Sequence, residues 1–123
     1  MINLETYFLD TSAILNGALN YYKHVYISPI TLIELEKIKN ASDKNEEIKY
    51  KARHATKDIC GSLFIQITSF PQSKINKIIK KNNFLLDIND HHILAAAELL
   101  GIQNDEIVFV TSDYAQYLFA MRL

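Results

Sequence analysis

Cysteine is nearly missing from the 123-residue chain: Cys60 stands alone, so no internal disulfide can form and a reducing setting is expected. Three glycines and two prolines leave no low-complexity linker and mark no domain boundary, so residues 1–123 read as a single domain. No apolar run approaches the ~20 residues of a membrane span, and no membrane partner is expected. The start, "MINLETYF", lacks the basic and apolar regions of a signal peptide. No internal repeat is visible. What remains is ordinary for a soluble globular domain: 49% hydrophobic and 22% charged residues.

The net charge of −1 conceals a segregation. Residues 37–81 hold eleven of the thirteen basic residues and four acids, a local charge of +7. The rest of the chain carries −8. Two differently solvated faces would account for this. So would a basic surface beside an acidic pocket, the arrangement that suits a polyanion held near a metal.

Short β-rich runs alternate with longer helical ones. Strands are expected at 6–9, 24–28, 63–68 and 107–111, the last fully apolar, as in a strand covered on both faces. Helices are expected at 29–40, with Ser28-Pro29 as cap and first residue, and at 44–59, stopped by Gly61. Three more follow: 73–81, 89–100 with Gly101 just past its end, and 113–122. This alternation predicts a three-layer α/β/α doubly wound sandwich around a mostly parallel sheet of four to five strands. Ligands of such folds bind beyond the carboxyl ends of the strands, where the strand order reverses.

Four acids fall where that rule points. Asp10 ends the first strand in "YFLDTSAIL", and Asp113 follows the strand "IVFVT" after Ser112. Asp90 lies in the first turn of the helix "DHHILAAAELL". Each alone is explained by the helix dipole, which favours an acid there by roughly 0.3–1 kcal/mol. Glu34 is harder to explain. At about 100° per residue, Ile30 and Ile38 flank it by about 40° on either side, placing it at the centre of its helix's apolar stripe. A buried carboxylate needs a compensating cation or proton, and a salt bridge to Lys37 or Arg53 is one solution.

If the four acids converge, another solution is required. Two carboxylates about 4 Å apart repel by roughly 4 kcal/mol at an effective dielectric of 20. A cluster of four must be protonated or neutralised by metal, and an oxygen-rich set without cysteine suits Mg²⁺ or Mn²⁺. Such ions activate water for attack on a phosphodiester.

"FLDTSAIL", "SPITLIELEKIK", "DHHILAAAELL" and "IVFVTSD" resemble, in order and spacing, the motifs of a PIN-domain ribonuclease. With "ARHA" (52–55), they look most like the PIN domain of PhoH-type proteins. The resemblance spans about residues 6–120 and implies Mg²⁺- or Mn²⁺-dependent cleavage of single-stranded or structured RNA. It assigns the acids to Asp10, Glu34, Asp90 and Asp113, with Ser12 and Thr111 at the usual hydroxyl positions. Asp10 and Asp113 are then direct ligands, while Glu34 and Asp90 hold the ion's waters or a second ion. PIN domains usually add a final strand beyond the last helix, where this sequence reads "AMRL". The expectation is a fragment of a longer chain, or a sheet edge completed by a partner such as a second copy.

Other residues admit two readings. Lys49, Arg53, His54 and Lys57, with Tyr50 nearby, form a phosphate-tracking face or a solvated one. His91 and His92 adjoin Asp90, but neighbouring helix residues point about 100° apart, so packing is the expected role for them. Asp87 could cap its helix or share the metal, and capping is the expected role. Tyr21, Tyr22, Tyr114 and Tyr117 could stack on bases, but core packing is the expected role for most of them. Ser12 replaces the second aspartate that haloacid-dehalogenase phosphatases carry two residues after the first, and the paired acids of a response-regulator receiver are missing. The functional expectation is a cytoplasmic metal-dependent ribonuclease. A nucleic-acid-binding or regulatory module, or a VapC-like toxin with a protein inhibitor, is the alternative.

Overall fold

The computed structural model describes residues 5–103 and 106–123. Four strands, β1 (Thr6–Leu9), β2 (Val25–Ile27), β3 (Ile65–Ile67) and β4 (Ile107–Val110), form a parallel sheet in the order β3-β2-β1-β4. The chain moves outward from β1 through β2 to β3, then returns to place β4 on the opposite side of β1. The strand order therefore reverses between β1 and β4.

Side chains alternate across the sheet with the period of two that a strand imposes. Tyr7, Leu9, Val25, Ile27, Ile65 and Val110 join a core with Ala13, Ile14, Leu35, Ala52, Ala55 and Ile59. These belong to α1 (Thr11–Leu15), α2 (Pro29–Asn40) and α3 (Glu46–Gly61). Phe8, Tyr26, Ile107 and Phe109 face the other way. They meet α4 (Gln72–Lys81), α5 (Asn89–Gln103) and, through Phe119, α6 (Tyr114–Ala120). The result is the expected three-layer α/β/α sandwich with a four-stranded sheet. No helix among the described residues is long and apolar enough to cross a membrane.

Capping chemistry decides several boundaries. Ser28 is the cap of α2: its hydroxyl accepts from the Ile30 N–H at 3.1 Å, and Pro29 follows as the first helical residue. Ser28→Ala should cost about 1 kcal/mol, read as a lower urea midpoint with an unchanged slope. Asn45 caps α3 in the same way through Ile48 N–H, so that helix starts at Glu46 rather than at 44 and runs through Gly61.

Some expectations give way. α5 continues past Leu100 and Gly101 to Gln103. It is buried on nearly every side, and a Cβ on Gly101 would meet nothing within 4 Å, so that glycine serves no turn. Asp87 lies one residue upstream of Ile88, whose carbonyl takes the first helical N–H bonds from His91 and His92. β4 is an edge strand with Val108 partly open, rather than one covered on both faces. The basic segment does not form one surface: its lysines divide between α2–α3 in one layer and α4 in the other.

Candidate active site

Asp10 leaves the end of β1 and caps α1, accepting from Ala13 N–H at 2.9 Å. It is 2% exposed. Burial of a carboxylate at the sheet edge is tolerable because donors surround it. Two short relays reach it from the loop after β4. Ser112 N–H donates to the Ser12 hydroxyl (3.0 Å), which donates to Asp10 Oδ1 (2.8 Å). Asp113 N–H donates to the Thr111 hydroxyl (3.0 Å), which donates to Asp10 Oδ2. Ser12 and Thr111 oxygens are themselves 3.2 Å apart. Every one of these donors is neutral, so the carboxylate is aimed by hydrogen bonds alone.

A carboxylate offers about four acceptor positions. On Asp10 three are used among the described residues, leaving one on Oδ2. The same half-use recurs. Asp113 caps α6 with Oδ1, accepting from Ala115 and Gln116 N–H at 2.9 and 3.3 Å, and its Oδ2 takes no donor among the described residues. Glu34 Oε1 accepts from the Thr11 hydroxyl at 2.6 Å, while Oε2 is left over among the described residues. No salt bridge from Glu34 to Lys37 or Arg53 forms among the described residues. The line buried on α2 is Thr31 and Leu35, which puts Glu34 about 80° off its centre at 100° per residue. Glu34 is therefore half-buried at the border of the stripe, within reach of Thr11, and not at the stripe's middle.

Asp90 starts α5, and its carboxyl is held above the usual range. Burial is the largest cause, followed by the charges of Glu34, Asp113 and Asp10. The four acids thus share one electrostatic neighbourhood at the point where the strand order reverses, with no ion pair to any of them among the described residues. They are not packed into a closed cage: among the described residues no three His, Cys, Asp or Glu side chains are grouped tightly enough to enclose an ion. Carboxylates braced on one oxygen and open on the other fit a hydrated cation, since Mg²⁺ ordinarily keeps several of its waters.

Gln116 escaped the sequence reading. It is 1% exposed, its side-chain amide donates to the Asp90 carbonyl at 2.9 Å, and its backbone N–H reaches Asp113 Oδ1. It ties the start of α5 to the start of α6. Its Oε1 is buried with no partner among the described residues, an acceptor suited to an ordered water. Its spacing from Asp113, one helical turn, was the only available signal. Thr11 was also missed, although a hydroxyl beside a strand-end acid is itself a hint.

The remaining residues are placed as follows. His91 is buried against Phe84 and Phe119, with Nδ1 accepting from Leu85 N–H at 2.8 Å; burial first lowers its pKa. His92 bonds Leu86 O and the Gln72 amide. Both therefore serve packing and loop anchoring. Lys49, Arg53, His54 and Lys57 lie on α3, and among the described residues none pairs with any of the four acids. Lys49 pairs with Glu46 and His54 with Asp58, while Arg53 and Lys57 are exposed without an ion pair among the described residues. Tyr50 stacks on His54.

A family model described as "PIN domain" matches residues 7–123. The chain belongs to the PIN-domain family. PIN domains are generally nucleases, and hydrolases in that sense, and they typically use divalent metal ions. No curated protein and no solved structure matches the chain. The family match covers all four acids of this PIN domain, together with Thr11, Ser12, Thr111 and Gln116.

Proposed function

We propose that this PIN domain is a Mg²⁺- or Mn²⁺-dependent ribonuclease, most like the PIN domain of PhoH-type proteins and acting in the cytoplasm. The observation that carries it is geometric: Asp10, Glu34, Asp90 and Asp113 come together beyond the carboxyl edge of the sheet, where the strand order reverses, with no ion pair to any of them among the described residues. Surplus negative charge of this kind calls for a cation, and a phosphodiester brings more of it.

Asp10 and Asp113 would hold the ion directly through their open oxygens, and Glu34 and Asp90 would hold its waters or a second ion. A bound divalent ion supplies charge neutralisation for the phosphate and a lowered pKa for bound water. The chain's own part is orientation and proton handling. The Ser12 and Thr111 hydroxyls are committed to Asp10, which supports the reading that they order a carboxylate rather than bind phosphate. Thr11 and Gln116 fix Glu34 and the start of α5 in the same way. Asp90, half-buried in the first turn of α5 beside the other three acids, would orient the attacking water and take its proton. Hydrolysis adds that water across one P–O bond, the hydroxide to phosphorus and a proton to the leaving oxygen. Lys49, Arg53, His54 and Lys57 would track the strand's phosphates along α3.

The test is cleavage of single-stranded RNA by the full chain in Mn²⁺ and after EDTA. Cleavage in Mn²⁺ that stops with EDTA and returns with added Mg²⁺ or Mn²⁺ is expected. Cleavage indifferent to EDTA removes the metal from the proposal. RNA bound but never cut leaves a binding or regulatory module.

A further inference from the structure

α6 turns an apolar stripe toward solvent. Tyr114, Tyr117, Leu118 and Met121 follow the i, i+3, i+4, i+7 spacing that ordinarily faces a core, yet they are 74%, 50%, 48% and 67% exposed. The inward side of the helix is already taken by Gln116 and by Phe119, which meets Phe84 and His91 edge-on. The two tyrosine rings are stacked, with centroids 6.2 Å apart and 25° between their planes. Tyr114 directly follows Asp113 in the chain. Core packing, expected for most tyrosines, does not describe this pair.

We propose that Tyr114 and Tyr117 are a stacking platform for unpaired nucleobases next to the phosphate held at the acid pocket. The proposal rests on the nuclease reading and deepens it by selecting unpaired strands. Any base offers a π-face to an aromatic side chain, so such stacking tolerates sequence. Bases inside a duplex are already covered by their neighbours and have no free face to offer. Asp113 is the cap of α6 and Tyr114 its first residue, so the stacked rings stand on the helix that begins at the acid pocket. Arg122, exposed just beyond α6, places a cation further along the same path. A second copy of the chain is the poorer occupant. The stripe is short, three side chains on a seven-residue helix and Met121 at its cap, whereas a stable protein interface buries roughly 800 Å² per partner.

The experiment uses Asp10→Asn as a cleavage-silent host and measures binding of a labelled single-stranded RNA in Mg²⁺. Adding Tyr114→Ala and Tyr117→Ala should weaken binding by about tenfold or more, with duplex binding unchanged and Tyr114→Phe with Tyr117→Phe restoring it. In the chain with Asp10 intact, the alanine pair should leave hydrolysis of bis(p-nitrophenyl) phosphate, a diester without bases, unchanged. Equal RNA binding by the alanine pair overturns the platform, as does parallel loss of diester hydrolysis. A dimer that the alanine pair turns into a monomer gives the face to a second copy instead. A chain that hydrolyses neither RNA nor diester loses the nuclease reading, and the binding measurement still decides the platform.

Discussion

Asp10→Asn should lower Mn²⁺-dependent RNA cleavage by more than about a hundredfold while the chain stays folded. Loss of a group that only braces a metal ligand costs about 10–100-fold, and Asp10 is proposed as a ligand itself. The fold should survive because asparagine caps a helix about as well as aspartate. Its Oδ1 can keep the bonds from Ala13 N–H and the Ser12 hydroxyl. Only the far side changes: Nδ2 is a donor, so the Thr111 hydroxyl must turn to accept from it instead of donating. The unit of charge and the one open acceptor position both disappear. Initial rates in Mn²⁺, beside the urea midpoint of the same preparation, separate the two effects. A variant that cuts at the wild-type rate sinks the assignment, and one that fails to fold shows the cap argument to be wrong.

The acids were legible in the sequence because their positions follow from simple periodicity. A carboxylate ending a β-run must lie at the sheet's carboxyl edge, and Asp10 and Asp113 both do. The braces were not legible. Thr11 reaches Glu34 across 23 residues and Gln116 reaches Asp90 across 26, and such contacts depend on how helices pack rather than on local pattern. The run "IVFVT" reads the same whether its strand is central or at an edge, since an apolar segment reports that it is covered, not by how many neighbours. Gly101 could not signal its own irrelevance: burial on nearly all sides of α5 outweighs the roughly 1 kcal/mol that glycine costs within a helix. Charge clustering between 37 and 81 suggested one basic face, but neighbours in sequence were sent to opposite layers by the crossover between α3 and α4.

In EDTA at neutral pH, Asp90→Asn should melt above the wild type, and Mn²⁺ should reverse the order. The native state holds a proton on Asp90 more tightly than the unfolded chain does, since its folded pKa is raised above the ordinary 3.8. An acid shifted in that direction contributes stability that is complete below its unfolded pKa and is lost as pH rises through the folded one. Above that titration the carboxylate is ionised and repels Glu34, Asp113 and Asp10. The direction is upward even though the first turn of α5 favours a negative charge, so burial and repulsion exceed the dipole. Asparagine removes the penalty, and its advantage over the wild type should shrink as pH is lowered through the titration of Asp90. Divalent ion works the other way. At a hundredfold excess over its dissociation constant, a ligand of the native state adds about 2.7 kcal/mol, or about 10 °C for a domain of this size. The wild type should gain that much in Mn²⁺ and Asp90→Asn distinctly less. Equal gains would mean that the ion binds elsewhere and that the four acids repel one another without sharing it.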